Sequence, residues 1–135
     1  MNHRTKLLPL WLKFVSYIFL IFLASPLIII FGLYHESISY SVYGIHYRGP
    51  VFSIISIALF SLLTLQGVAA LGLLSGKRWG IYLSIFVVVL CLICSSSSMI
   101  HSFVNGNLHF EFSLVLSLVI LNELLSIKNK WLEIY

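Results

Sequence analysis

Charged residues are few in this sequence. Lysine and arginine together number eight and the acidic residues four, so that only 9% of 135 residues are charged, whereas soluble domains carry about a quarter. Hydrophobic residues reach 60% and mean hydropathy is +1.05. This composition excludes a soluble globular domain and predicts an integral membrane protein. A net charge of +4 from so few groups also does not indicate a basic surface that binds nucleic acid, so we expect no nucleic acid partner.

Recognisable catalytic and cofactor motifs are missing as well. The chain contains no Walker phosphate loop, no dinucleotide-binding glycine pattern, no G-x-S-x-G nucleophile motif and no C-x-x-C-H haem attachment. No linker of biased composition, charge block or repeat divides it. We therefore expect one domain over residues 1–135, without a cofactor and without enzymatic activity.

Four long apolar stretches occupy most of the chain. They run at about residues 10–33, 51–74, 81–104 and 112–127. A helix needs about 20 apolar residues to cross a hydrocarbon core of about 30 Å. The stretches predict an all-α membrane protein, an antiparallel bundle of four transmembrane helices in the lipid bilayer.

Basic residues are divided unequally between the two sides of this predicted bundle. Because lysine and arginine are enriched in cytoplasmic loops, we expect both termini in the cytoplasm and loop 34–50 outside. Only Arg48 lies on the outer side. The other seven are Arg4, Lys6, Lys13, Lys77, Arg78, Lys128 and Lys130.

The longest connection, "YHESISYSVYGIHYRGP", joins the first two predicted helices. Its centre alternates serine with apolar or aromatic residues, the period of a half-buried strand or hairpin. Its tyrosines are placed like an interfacial aromatic belt. We interpret the loop as a cover lying on the membrane surface, with strand addition by a partner as the alternative.

Small and polar residues share one face of the third predicted helix, within an arc of about 120° at 100° per residue. In lipid such a face packs inward, because small residues allow close approach of backbones and hydroxyls bond across the interface. We predict a helix-packing seam there. Its members include Ser84, Cys91, Cys94, Ser98, His101 and Asn105.

Cys91 and Cys94, the only cysteines, form a C-x-x-C pair on this face. In size, helix number and this pair the chain resembles the DsbB-like and vitamin K epoxide reductase-like quinone oxidoreductases. That resemblance implies thiol–disulfide exchange with electrons passed to a quinone. Those families carry a second cysteine pair in an outer loop, which this sequence lacks, and no basic residue lies within a turn of either cysteine to activate it. Thiol–quinone oxidoreductase is the alternative to structural thiols.

Histidine and glutamate gather on the predicted outer side. Imidazole and carboxylate are ligands for zinc and copper, although no dense spacing such as H-E-x-x-H is present. A metal-handling or transport protein is therefore a third interpretation. Its candidate ligands are His35, His46, His101, His109 and Glu111.

The segment "GLLSGKRWGIYL" resembles the tight cytoplasmic hairpin of small bacterial four-helix inner-membrane proteins. The resemblance covers only the link between the second and third helices, and it implies topology and location in a bacterial inner membrane. Because catalytic groups are missing, we interpret the chain as a small non-enzymatic membrane protein. It would act through a membrane-protein partner, as an accessory, scaffold or immunity-type subunit, or as a homo-oligomer.

Overall fold

The computed structural model describes residues 3–24, 27, 38–42, 45–50, 52–107, 110 and 112–134. The helices are α1 (Leu10–Leu20), α2 (Ile54–Leu74), α3 (Arg78–Val104) and α4 (Phe112–Glu133). Short 3-10 helices precede and follow α1, at His3–Leu7 and Ile21–Ala24. The strands β1 (Ile38–Val42) and β2 (Ile45–Gly49) form an antiparallel hairpin between α1 and α2. The predicted helical bundle is confirmed.

Three of the helices, α2 to α4, are long and apolar enough to cross a membrane, and the segment Leu10–Ala24 is a shorter apolar helix. The prediction that the first helix continues to residue 33 concerns residues that lie largely outside those described. The fourth helix runs six residues beyond its predicted end at residue 127. Hydropathy marks only the apolar part of a helix, whereas the backbone bonds of α4 continue through its polar last turns.

Helix α2 begins at Ile54, three residues later than its apolar stretch. Ser53 is its N-cap, in extended conformation, and its side-chain oxygen accepts a hydrogen bond from the amide of Ser56 at 3.1 Å. A serine at this position satisfies one of the amides that a helix start leaves without an intrahelical partner. The cap, and not hydropathy, therefore sets the start of α2.

Helices α2 and α3 both end in a glycine with a left-handed backbone. Gly76 has a φ angle of 66° and Gly106 one of 79°. After each glycine the next amide reaches back five residues, as from Lys77 to the carbonyl of Gly72 at 3.0 Å. This Schellman arrangement satisfies carbonyls at the helix end and requires a residue that tolerates positive φ.

The turn between α2 and α3 brings these helices together at two glycines. A Cβ atom added to Gly80 would lie 2.6 Å from the carbonyl oxygen of Gly72 and 2.8 Å from the amide nitrogen of Leu73. Both distances are well inside van der Waals contact. The helices therefore cross backbone to backbone, the close approach that small residues allow.

The N-terminal segment, the turn after α2 and the end of α4 meet at one end of the bundle, here called the basic end. Arg4 donates from Nε to the carbonyl of Trp131 at 3.0 Å, from Nη1 to that of Gly76 at 3.1 Å and from Nη2 to that of Ile134. The indole Nε1 of Trp131 donates to the carbonyl of Lys77 at 3.1 Å. One guanidinium thus joins three segments through carbonyls near helix C-termini, where a cation is favoured.

The main hydrophobic core lies beside the basic end. Trp131, Leu124 and Ile81 are fully buried within it. Side chains from the N-terminal segment and all four helices contribute. The cluster consists of Leu8, Leu12, Leu73, Ile81, Ile120, Leu124, Ile127 and Trp131. The opposite end, beside the β-hairpin, is called the hairpin end and contains the more polar features described next.

Candidate functional site

The β-hairpin has one aromatic face and one polar face. Tyr40 pairs with Tyr47 across the strands, whereas Ser39 pairs with Arg48. Successive side chains of a strand point to opposite faces. The predicted alternating strand is therefore present. Its tyrosines lie on the face that anchors the hairpin, and its serines lie on the exposed face.

The aromatic face is anchored on the first turns of α2. The Tyr40 hydroxyl donates to Oγ of Ser56 at 2.8 Å. Its ring lies 5.2 Å from that of Phe60 and 5.3 Å from that of Tyr47, centroid to centroid. Aromatic pairs at this spacing contribute beyond their buried area. The hairpin is thus fixed to the bundle by ring packing and a hydroxyl contact together.

Tyr47 is the second anchor and is buried. Its hydroxyl donates to the carbonyl of Pro50 at 2.6 Å and also contacts the hydroxyl of Ser53. Because Ser53 accepts from the Ser56 amide, the bonding is complete when the Ser53 hydroxyl donates to Tyr47. The hairpin anchor and the cap of α2 are therefore one hydrogen-bonded chain.

We expect Tyr47→Phe to destabilise the protein by about 1–2 kcal/mol, the cost of a lost buried hydrogen bond and an unpartnered neighbour. Protease cleavage within the hairpin should also accelerate, because the hairpin loses its hydroxyl anchor. The measurement is unfolding in mild detergent with timed proteolysis. Tyr17→Phe, at an exposed tyrosine of α1, is the matched control. Equal stability of the two variants would contradict the anchoring role.

The polar face remains exposed and is here called the hairpin patch. It consists of Ser39, Ser41, His46 and Arg48, all exposed. The cross-strand register brings them together as two adjacent pairs, Ser39 with Arg48 and Ser41 with His46. The patch offers hydroxyls, an imidazole and one guanidinium, a set suited to hydrogen-bond acceptors and carboxylates.

The predicted packing seam of α3 is divided between interior and surface. Ser84 and Cys91 are buried, Cys94 and Ser98 are half-buried, and His101 and Asn105 are exposed. His101 and Asn105 lie one turn apart and their side chains contact each other at 3.2 Å. The stripe therefore leaves the interior towards the hairpin end of α3.

Hydrogen bonds connect this helix with both of its neighbours. The Ser84 hydroxyl donates to the carbonyl of Ala69 on α2 at 3.3 Å. Near the other end, the Ser95 hydroxyl lies 3.0 Å from that of Ser113 on α4. Serines on α3 thus bond to α2 in one half and to α4 in the other, as expected for hydroxyls between closely packed helices.

Both cysteines are free thiols in the structure, Cys91 buried and Cys94 half-buried. Along α3, no lysine, arginine or histidine lies within one turn of either cysteine in the sequence, and such groups are what activate a thiol. The geometry favours thiols that fill space, since an unactivated, buried sulfur behaves as a small hydrophobe.

We expect a variant with both Cys91→Ala and Cys94→Ala to remain folded, at a cost of about 1 kcal/mol for the small volume removed. Ser98→Leu, which adds bulk on the same helix, should cost about 1–3 kcal/mol by overpacking. Unfolding in detergent measures both. A disulfide between the two cysteines that forms on addition of quinone would contradict the structural role and support thiol–quinone exchange.

The structure describes two of the five candidate metal ligands. His46 is exposed on β2 and His101 is exposed at the end of α3. His35, His109 and Glu111 lie outside the residues that the structure describes. Within the described ranges, no three histidine, cysteine or acidic side chains approach closely enough to hold a metal ion.

Two features of the hairpin end go beyond the sequence predictions. The sequence predicts Tyr40 and Tyr47 as interfacial tyrosines, whereas the structure shows that they hold the hairpin to the start of α2; their phase in the serine alternation is the signal that separates them from the polar face. Ser53 and Ser56 are the hydroxyl partners of these tyrosines. Their signal in the sequence is the position of Ser53 directly before an apolar run, where a helix cap is favoured.

The comparison with known proteins supplies no relative from which a role for this site can be transferred. No family model matches the chain, and no curated protein or solved structure is significantly similar to it.

Proposed function

We propose that this chain is a multi-pass protein of a bacterial inner membrane, with four transmembrane helices and both termini in the cytoplasm. Three helices of sufficient length and hydropathy support this, and the apolar sequence after Ala24 would complete a first span. Large apolar side chains such as Phe14, Phe86 and Leu118 are exposed along the helices, as lipid-facing residues would be. The basic end would face the cytoplasm, in keeping with the positive-inside bias.

Within this arrangement the protein acts through a partner and not by catalysis. The observation that carries the proposal is the hairpin patch. An ordered hairpin is held to α2 by Tyr40 and Tyr47, while its polar face is left exposed. Exposed polar groups on a rigid support are suited to recognition.

The partner proposed is another membrane protein, with an acidic extracytoplasmic segment that lies against the patch. Arg48 is the basic residue of the patch, and its planar guanidinium binds a carboxylate through two parallel hydrogen bonds. His46 and the serines add donors beside it. Partner choice would then depend on Arg48, while the apolar surfaces of the helices associate less selectively in lipid.

The orientation is tested with single cysteines at Ser39 and Ser75 in a cysteine-free background. Both positions are exposed, one on the hairpin and one at the basic end. In sealed inner-membrane vesicles a membrane-impermeant maleimide should label them from opposite sides. Labelling of both from one side would exclude the proposed topology.

The partner role is tested by a photo-crosslinking amino acid at His46 in native membranes. We expect a discrete adduct there and none at Ile57, an exposed apolar position on α2 that serves as control. Arg48→Glu should reduce the adduct about tenfold, as the loss of a charge-assisted contact predicts. Equal adducts at His46 and Ile57, or no effect of Arg48→Glu, would refute the proposed contact. An adduct of two copies of this chain would indicate the homo-oligomer instead.

A further inference from the structure

A cavity of about 280 Å³ lies between the helices on the hairpin side of the core. Its walls come from the α1 segment, α2, α3 and α4, and include Phe19, Phe22, Leu63 and Leu116. Ser41 of β1 borders it as well, so the cavity extends towards the hairpin. None of the described residues that line it is charged. The volume approaches the lower limit of small-molecule pockets in proteins.

Gln66 supplies the cavity with a hydrogen-bond acceptor. Its side chain is 6% exposed and lines the cavity. Within the described part of the chain, its Oε1 atom accepts no hydrogen bond. A buried polar atom without a partner is costly and rare. An acceptor held in this way is therefore a candidate contact for a ligand.

The cavity follows from the small residues around it. Cys91, Ser113 and Ser117 line it from α3 and α4, and their short side chains leave volume where leucine would fill it. Next to Gln66, a Cβ atom added to Gly67 would lie 2.9 Å from the backbone nitrogen of Leu23. That close approach places the end of the α1 segment against α2 beside the cavity.

We propose that this cavity binds an uncharged lipophilic alcohol or phenol whose hydroxyl donates to Oε1 of Gln66. The apolar walls would hold the hydrocarbon part, and the absence of charge in the described lining disfavours an ionic ligand. Octan-1-ol, a small amphiphile, represents this class of ligand in the experiment.

The depth of Gln66 argues against a phospholipid head group as the source of the hydroxyl. Gln66 lies 13 residues after Ser53, which is about 20 Å along the helix at 1.5 Å per residue. In a membrane with a hydrocarbon core of about 30 Å, this places Gln66 within the core, about 20 Å from the head groups on the hairpin side and about 10 Å from those on the other side. The depth argument rests on the proposed transmembrane arrangement, whereas the site itself does not depend on the partner role.

The experiment uses purified full-length protein in mild detergent and octan-1-ol that carries a diazirine on its third carbon. After photolysis, mass spectrometry should find adducts at cavity residues such as Leu63 and Leu116. Labelling at Phe14, exposed on α1, provides the reference for probe dissolved in the micelle. Unlabelled octan-1-ol should compete about ten times more effectively than 1-methoxyheptane or nonane of the same size, because only the alcohol donates a hydrogen bond.

Two variants test separately the hydrogen-bond acceptor of Gln66 and the volume of the cavity. Gln66→Met conserves side-chain volume and should reduce the tenfold preference for the alcohol to about onefold. It should also unfold at a higher temperature than the wild type, because an unpartnered buried acceptor is removed. Ser117→Leu should abolish cavity labelling by filling the space, whereas Ser61→Leu, at an exposed position of α2, should leave it unchanged.

Three outcomes would overturn the proposal. Equal competition by octan-1-ol, 1-methoxyheptane and nonane in the wild type would show a cavity that selects only for apolar character. Preference for the ether would show that the ligand accepts a hydrogen bond and does not donate one. Cavity labelling no stronger than that at Phe14 would show that the cavity takes up no alcohol. Each readout uses purified protein, so failure here is distinguishable from failure to find a partner at the hairpin patch.

Discussion

Replacing Arg4 by alanine is expected to destabilise the bundle by about 2–4 kcal/mol. The guanidinium donates to three carbonyls, one in the turn after α2 and two at the end of α4. Hydrogen bonds with a charged partner contribute about 1.5–3 kcal/mol each, and these contributions do not simply add when the bonds share one group. Loss of Arg4 also leaves carbonyls at helix ends without their partner. Unfolding by added sodium dodecyl sulfate, followed by circular dichroism, measures the change.

Lys6→Ala is the control for Arg4, because Lys6 lies in the same 3-10 helix and carries the same charge but is exposed. Its effect should stay within about 0.5 kcal/mol. Arg4→Lys should fall between the two, since lysine keeps the charge and loses the planar fork that reaches several acceptors. If Arg4→Ala and Lys6→Ala are equally stable, the basic end is held by something other than this guanidinium.

Gly80→Ala is expected to cost about 3 kcal/mol or more. The added methyl group would meet backbone atoms of Gly72 and Leu73 within 3 Å, and backbone atoms yield less readily than the end of a flexible side chain. Overpacking of this kind costs about 1–3 kcal/mol and occasionally more. Helices α2 and α3 would have to separate at their turn, so disulfide crosslinking between cysteines placed across that interface should slow in parallel.

Gly106→Ala separates steric overlap from backbone conformation. Among the described residues, its two chain neighbours apart, no atom lies within 4 Å of a Cβ added there, and the φ angle of +79° is what opposes alanine. The left-handed conformation costs a residue with a side chain about 1–2 kcal/mol. A loss at Gly80 no greater than that at Gly106 would contradict the backbone-to-backbone crossing.

The helices of this fold could be predicted because each contains a long, predominantly apolar stretch. Their ends could not, because an end depends on a local hydrogen bond. Ser53 delays the start of α2 until the residue after its cap, and Gly76 ends that helix through a left-handed turn. Hydropathy contains no information about either.

Contacts between distant segments were the hardest to predict. The distribution of basic residues indicated that Arg4 and the C-terminal helix share one side, yet it says nothing about which carbonyls the guanidinium reaches. Those acceptors lie 72, 127 and 130 residues away. The choice depends on the exact rotation of α4 and of the turn, which follows from side-chain packing throughout the core.

At the hairpin end the strands could be predicted from the sequence, whereas the hydrogen-bond partners of their side chains could not. The alternation of serine with apolar or aromatic residues predicted the strands. It also predicted that Tyr40 and Ser39 lie on opposite faces of the hairpin. The acceptor at Gln66 has one signal in the sequence, a lone side-chain amide in the middle of an apolar helix. Polar groups at such positions are expensive in a membrane and are functional candidates by default.

The contacts of Arg4 also constrain the order in which the protein can assemble. Two of its acceptors, Trp131 and Ile134, are synthesised more than 120 residues after it. At about 5–20 residues per second, about six seconds or more separate the synthesis of Arg4 from that of these carbonyls. During that interval Arg4 has neither of these acceptors, so the contact between the N-terminal segment and the end of α4 forms only after α4 has been synthesised.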